Sequence, residues 1–208
     1  MLINKYITAS CIIRKNAVYK NAEKIFENKE AAVAAFLHSI YQHQQIKYPK
    51  FYKMDNLSKL GWLATEILLT DNFKKDNYAP EDIGVVFANA SASLDTDVKY
   101  YETAKDIASP ALFVYTLPNI VIGEICIRHQ FKGENAFFIN EKFDAEFIEQ
   151  YVTNLINNNI LQACICGWVE LLNEEYTAVL FLVEKEAAAG QAFFTSENII
   201  KIYQLANG

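Results

Sequence analysis

Among the side chains able to bind a metal or carry redox chemistry, Cys164 and Cys166 stand two apart, and His38, His43 and His129 are the chain's three histidines. Zinc and iron–sulfur sites use Cys-x2-Cys spacing, or His and carboxylate ligands repeated on one helix face. Neither pattern occurs. Ala163-Cys164-Ile165-Cys166-Gly167 is an apolar run, and strand alternation puts both thiols on one face. With Cys11 and Cys126, also in apolar segments, they read as reduced, buried small hydrophobes. His38 and His43 are five apart on one predicted helix, which is not a ligand pair on one face, and His129 lies beside Arg128 in a turn. The residues call for neither metal nor cofactor.

These side chains must be carried by a packed layer. Residues 3–13 read as a strand, followed by a polar turn region over Arg14–Asn28. Helical spacing recurs in Lys29–Gln45 and in Leu57–Leu69, the latter with Asp55 or Asn56 as cap. Ile83–Ala88 is continuously apolar, the mark of a strand covered on both faces. A polar helix follows near Asp95–Ile107, then a helix Asn119–His129 with Pro118 at its opening. Strand Asn135–Ile139, helix Phe143–Asn157, strands Leu161–Leu171 and Ala178–Glu184, and a last strand near Ile199–Tyr203 complete the pattern. Strands alternating with helices define an α/β layered domain spanning 1–208, with a mixed sheet.

Composition narrows the function classes. Nineteen basic against twenty-five acidic residues leave a net charge of −6, with no cationic surplus to neutralise phosphates, so no nucleic acid is expected as partner. A hydrophobic share of 52% is enough for a packed core and too high for a disordered chain. No apolar run approaches the ~18–20 residues of a membrane span. Met1–Tyr6 lacks the apolar core of a signal peptide, so a cytoplasmic location is expected. The chain has only seven glycines, lean for an enzyme whose site is made of tight loops.

Three ordered stretches carry a resemblance. The first is Met54-Asp55-Asn56-Leu57-Ser58-Lys59-Leu60-Gly61, followed after a helix by Asp82-Ile83-Gly84-Val85-Val86. The second runs from Ser109-Pro110 through Phe113 to Pro118-Asn119, then Gly123 and Phe131-Lys132-Gly133. The third is Gly167-Trp168-Val169-Glu170. Together, over roughly residues 45–185, they resemble the N-terminal half of the β-ketoacyl-[acyl carrier protein] synthases, the condensing enzymes of fatty-acid and polyketide synthesis. The resemblance implies a thiolase-like half-fold, a five-stranded mixed sheet with helices on both faces.

It also implies a lost nucleophile. In the family the catalytic cysteine stands nine residues after the glycine matching Gly133, and here that position is Lys142. A lysine cannot form the acyl thioester, which requires a thiolate. Lys142 is either a Schiff-base amine or, as its neighbours Glu141 and Asp144 suggest, a solvated residue replacing a group no longer needed. The family's two histidines and lysine from the C-terminal half have no counterpart in this chain. The expected function is a non-catalytic partner or scaffold subunit in fatty-acid or polyketide biosynthesis. The alternatives are an acyltransferase active only in complex with a full synthase, and a binder of acyl chains or carrier protein.

The family's strand before the nucleophile pairs with its two-fold mate. Here it comprises Asn135, Ala136, Phe137, Phe138 and Ile139, so residues 134–139 are the expected contact with a second copy or a full synthase. Arg128, Lys132 and Lys15 are candidates for touching an acyl carrier protein. In the helix after Lys142, Glu146 and Glu149 fall on the polar face and are expected to be solvent-exposed, so that this half folds without a C-terminal one.

Overall fold

The structure, a computed structural model, describes residues 4–71, 73–186 and 190–205. Its frame is one mixed sheet. The strands are β1 (Tyr6–Arg14), β2 (Ala17–Lys20), β3 (Glu23–Glu27), β4 (Ile83–Asn89), β5 (Asn135–Ile139), β6 (Ala163–Leu172), β7 (Glu175–Glu184) and β8 (Ala192–Phe193). They run β3-β2-β1-β7-β6-β4-β5, with β8 on β1. Among the described residues only the pairs β4–β5 and β4–β6 are parallel.

Among the described residues the sheet therefore has eight strands, not five. The excess comes mainly from Arg14–Asn28, expected as a turn region and found as the β2–β3 hairpin. Its turns are built without glycine. Lys15 and Asn16 (φ 47° and 57°), then Asn21 and Ala22 (φ 50° and 69°), take the left-handed conformation that closes two-residue hairpins. Polar strands joined by unmarked turns leave little signal in the sequence.

The helices are α1 (Val33–His43), α2 (Asn56–Leu69), α3 (Leu94–Ala104), α4 (Pro110–Phe113), α5 (Ile120–His129), α6 (Ala145–Asn157) and α7 (Ser196–Gln204). Asp55 caps α2 by accepting from Ser58 N at 2.9 Å. Pro118 does not open α5, which begins two residues later. The strand expected near Ile199–Tyr203 is the helix α7 instead. Thr195 caps it through Asn198 N (3.3 Å), and Ile199, Ile202 and Tyr203 form its inward stripe.

Two cores follow from strand alternation. On one face Ile165, Val169 and Leu171 of β6 meet α1, α2 and α5, where Leu60, Trp62, Leu63 and Leu68 are fully buried. Each such side chain contributes about 1.5–3 kcal/mol. On the other face Cys164 and Cys166, pointing the same way as the alternation predicts, meet Ile148, Val152 and Ile156 of α6 and Ile199 of α7. Of the two α6 carboxylates, Glu146 is exposed, but Glu149 is half-buried. Glu149 Oε2 accepts from Ser196 N at 2.6 Å, at the positive end of α7.

The β6–β7 pair has one point of close approach. At Gly167 (φ +149°) an added Cβ would lie 2.0 Å from the Val179 carbonyl oxygen. Gly167→Ala must push β7 away, and the expected cost is about 2–4 kcal/mol of folding stability. Urea denaturation checks this, and an unchanged midpoint would contradict it.

Candidate functional site

The chain leaves β4 towards α3, α4 and α5 on one face and leaves β5 towards α6 on the other. Right-handed crossovers enforce this, because the path moves from β4 to β5 and then back past β4 to β6. Two adjacent parallel strands whose loops part in opposite directions form a topological switch point at their carboxyl ends, the place where open α/β sheets have their ligand crevice. Its walls are residues 90–93 after β4 and 140–144 after β5.

Both walls are held by backbone contacts. Asn140 N donates to the Asn89 carbonyl at 2.9 Å. The fully buried Asn89 side chain accepts from Ala92 N and donates to Ala92 O, each at 2.9 Å, fixing the tight turn in which Ala92 has φ 50°. Lys142 stands in the β5–α6 loop with its side chain in solvent. Phe143 beside it turns inward, stacked on Tyr203 at 4.0 Å and edge-on to Trp168 at 6.2 Å.

Two sets of backbone N–H groups here are satisfied by the chain's own carboxylates. Glu170, from β6, accepts from Ala90 N (2.6 Å) and Ser91 N (3.3 Å), the outward N–H groups of the β4 loop. Asp144 accepts from Phe147 N at 2.9 Å and occupies the positive end of α6. A thiolate gains its reactivity from such positions. No cysteine is near them: Cys11, Cys164 and Cys166 are buried in strands and Cys126 is half-buried on α5. Burial pushes the Cys11 and Cys166 thiols up and the Cys126 thiol up to about 11, so all three are protonated near neutrality.

The basic residues do not form one patch. Lys15 follows β1, which runs parallel to β4 and β6 through two antiparallel steps, and so lies at the carboxyl end of the parallel strands. Lys132 and Arg128 precede β5 and lie at the opposite end, where Lys132 N donates to Pro80 O (2.8 Å). Arg128 and His129 converge on Glu66 of α2, with Arg128 Nε 3.2 Å and His129 Nε2 2.8 Å from Oε1. Arg128 also lies over the rings of Tyr48 (5.0 Å) and Trp62 (5.9 Å). The two residues clamp α5 to α2. His38 lies against the Tyr52 ring and His43 against Phe26.

β5, residues 135–139, is an edge strand, and among the described residues it pairs with β4 alone. Val85 N donates to Glu134 O and Asn140 N to Asn89 O, so the even-numbered residues of β5 bond inward. The N–H and C=O groups of Asn135, Phe137 and Ile139 point outward. Phe138 packs edge-on against Phe147 (4.8 Å) and Tyr151 (4.9 Å) of α6, while Phe137 joins the opposite core.

No protein-family model and no curated protein matches the sequence. Solved structures match its shape. Against the ishigamide ketosynthase/chain length factor the TM-score is 0.64 at 16% identity, over 90% of this chain and 64% of that one. Against a type II polyketide synthase acyl-carrier protein in complex with its ketosynthase bound to the hexaketide it is 0.62 at 15%, over 88% and 63%. Against a ketosynthase in complex with its chain length factor from Xenorhabdus doucetiae it is 0.57 at 11%, over 90% and 81%. The chain thus has the thiolase-like fold of the ketosynthases. It spans somewhat under two thirds of the first two chains it matches and four fifths of the third.

The Glu66 clamp predicts a pH dependence. Hydrogen bonds and charge from His129 and Arg128 outweigh burial and hold the Glu66 carboxyl below its ordinary 4.5. A depressed carboxyl pKa contributes stability above the unfolded value and loses it as pH falls through the folded one. Glu66→Ala is expected to cost about 1–3 kcal/mol at pH 7. The difference from wild type should shrink below about pH 4.5, as urea midpoints across pH would show.

Proposed function

We propose that this chain is a non-catalytic ketosynthase-like subunit acting with a full ketosynthase in polyketide or fatty-acid biosynthesis. The observation that carries the reading is the crevice between β4 and β5. Its two anion-stabilising positions hold Glu170 and Asp144, the place of the nucleophile holds solvent-exposed Lys142, and every described thiol is elsewhere. Such a site has no group able to carry an acyl thioester. The likeness to a chain in a ketosynthase–chain length factor complex, covered to 81%, supports a partner role, since that chain is only modestly longer than this one.

Strand β5 is the contact through which the subunit assembles. Unpaired N–H and C=O groups on a nearly uncharged strand invite another chain. The opposite edge differs. β3 reads Glu23-Lys24-Ile25-Phe26-Glu27, and charged side chains of this kind deter pairing. An acyl carrier protein would then be met by the assembled pair, because Arg128 and Lys132 are already engaged by Glu66 and Glu81.

Incubated with malonyl- and acyl-carrier protein, the pure chain is expected to give no condensation product and no covalent acyl adduct by intact mass. An added acyl group mapping to Lys142 would overturn the reading. Phe137→Pro removes an outward backbone donor without breaking the β4 ladder. It is expected to leave circular dichroism unchanged and to abolish co-purification with the ketosynthase of the same organism.

A further inference from the structure

The edge of β1 that faces away from β7 is not covered along its whole length. β8 pairs with it at Tyr6 and Ile7, and β2 pairs with it from Cys11 to Arg14. Between them, among the described residues, Thr8, Ala9 and Ser10 have no strand on that side. Two side-chain amides stand in for one. Gln191 Nε2 donates to Thr8 O (3.1 Å), and Asn21 Oδ1 accepts from Ser10 N (2.8 Å) while Asn21 N donates to Ser10 O (2.9 Å). The amides satisfy this backbone without filling the width of a strand.

The space that remains is a cavity of about 380 Å³. That lies at the lower end of the ~300–1,000 Å³ usual for small-molecule sites. Ala192 of β8, Ile202 of α7 and its C-cap Leu205 give apolar walls, and no charged side chain lines the cavity among the described residues. One polar group is buried there without a use. Ser10, which also lines the cavity, is only 6% exposed. Register with Phe181 turns its side chain to the α6–α7 face, where Ile202 and Leu205 stand. Its hydroxyl makes no hydrogen bond among the described residues, although buried hydroxyls are ordinarily paired. The Asn21 amide, having given Oδ1 to Ser10 N, keeps Nδ2 as a second donor at the exposed rim.

We propose that this cavity binds a small uncharged carbonyl compound with a short apolar tail, its carbonyl oxygen accepting from the Ser10 hydroxyl and the Asn21 amide. The class follows from the lining. Two donors suit one carbonyl oxygen, and apolar walls suit a hydrocarbon tail. A carboxylate would lose its hydration with no cation to replace it. A ligand acceptor also recovers the free energy that a buried, unpaired hydroxyl costs the free protein. The site is separate from the partner contact on β5, which lies beyond β7, β6 and β4.

The test titrates the full chain with hexanamide, and with hexanoate as the charged counterpart, while backbone amide resonances are followed by NMR. Saturable shifts at Ser10, Asn21 and Ala192 are expected with hexanamide, at least about tenfold tighter than with hexanoate. No saturable shift at these positions, or equal binding of hexanoate, overturns the proposal. Ser10→Ala loses no protein partner for its side chain, so its urea midpoint is expected to equal or exceed that of wild type. It should bind hexanamide at least about fivefold more weakly, and wild-type affinity in the folded variant refutes the proposal. Ala192→Met adds bulk to the cavity wall at an exposed position and is expected to abolish the shifts. Their persistence would place the probe elsewhere and count equally against the assignment.

Discussion

Everything in this fold is arranged around the burial of β4. All seven of its residues are buried, and both of its edges carry parallel neighbours. A parallel neighbour cannot be reached by a tight turn, so each connection must cross the sheet, and handedness sends the two crossings to opposite faces. That single demand creates the crevice at the carboxyl ends of β4 and β5. It also makes β5 the end of the sheet, because the chain returns to the other side of β4 for β6, and β7 then joins β6 to the antiparallel β1–β3.

The loops that follow β4 and β5 show how a chain's own carboxylates can satisfy backbone N–H groups at such a place. Backbone N–H groups at a strand–loop junction and at a helix start are favourable to negative charge whatever their history. Left empty and out of water, each would cost free energy. Glu170 and Asp144 satisfy them from within the chain, which stabilises the loops and denies the positions to an outside anion or a thiolate. Lys142 is then free of structural duty, consistent with a side chain that points into solvent.

The layered class, the central strands and most helices were legible in the sequence because each carries a strong period. Ile83–Ala88 is apolar throughout, α6 has a broad apolar face, and Asp55 announces α2 as its cap, whereas Asp144, expected inside α6, is its cap instead. What escaped lies where local signals are weak or point the wrong way. The β2–β3 hairpin uses Lys, Asn and Ala in left-handed turns that usually announce themselves with glycine. Helix α7 is short and rich in isoleucine, so its composition favours a strand, and only its cap and the partnership with Glu149 decide for a helix. The basic residues 15, 128 and 132 were grouped by type, whereas topology sends them to opposite ends of the sheet. Glu170 was seen as part of a motif, but its role depends on a contact across 80 positions that no spacing reveals.

The same reasoning explains why the exposed apolar stripe of α3, Leu94, Val98 and Tyr101, is invisible to pattern reading. Its sequence, Leu94-Asp95-Thr96-Asp97-Val98-Lys99-Tyr100-Tyr101, alternates apolar and polar residues at helical spacing and so looks like any amphipathic helix. Periodicity gives the existence of two faces and not which one is turned inward. That choice is made by the hydrogen-bonding demands around it. The helix starts where the β6–β7 turn offers Asn173 N, the α2 cap offers a carboxylate and residue 116 offers a carbonyl, and polar side chains answer all three. Turning the helix over would leave these groups unsatisfied under a layer of leucine, valine and tyrosine, at a cost of about 1–3 kcal/mol for each. The outward apolar stripe is therefore the consequence of an inward polar one.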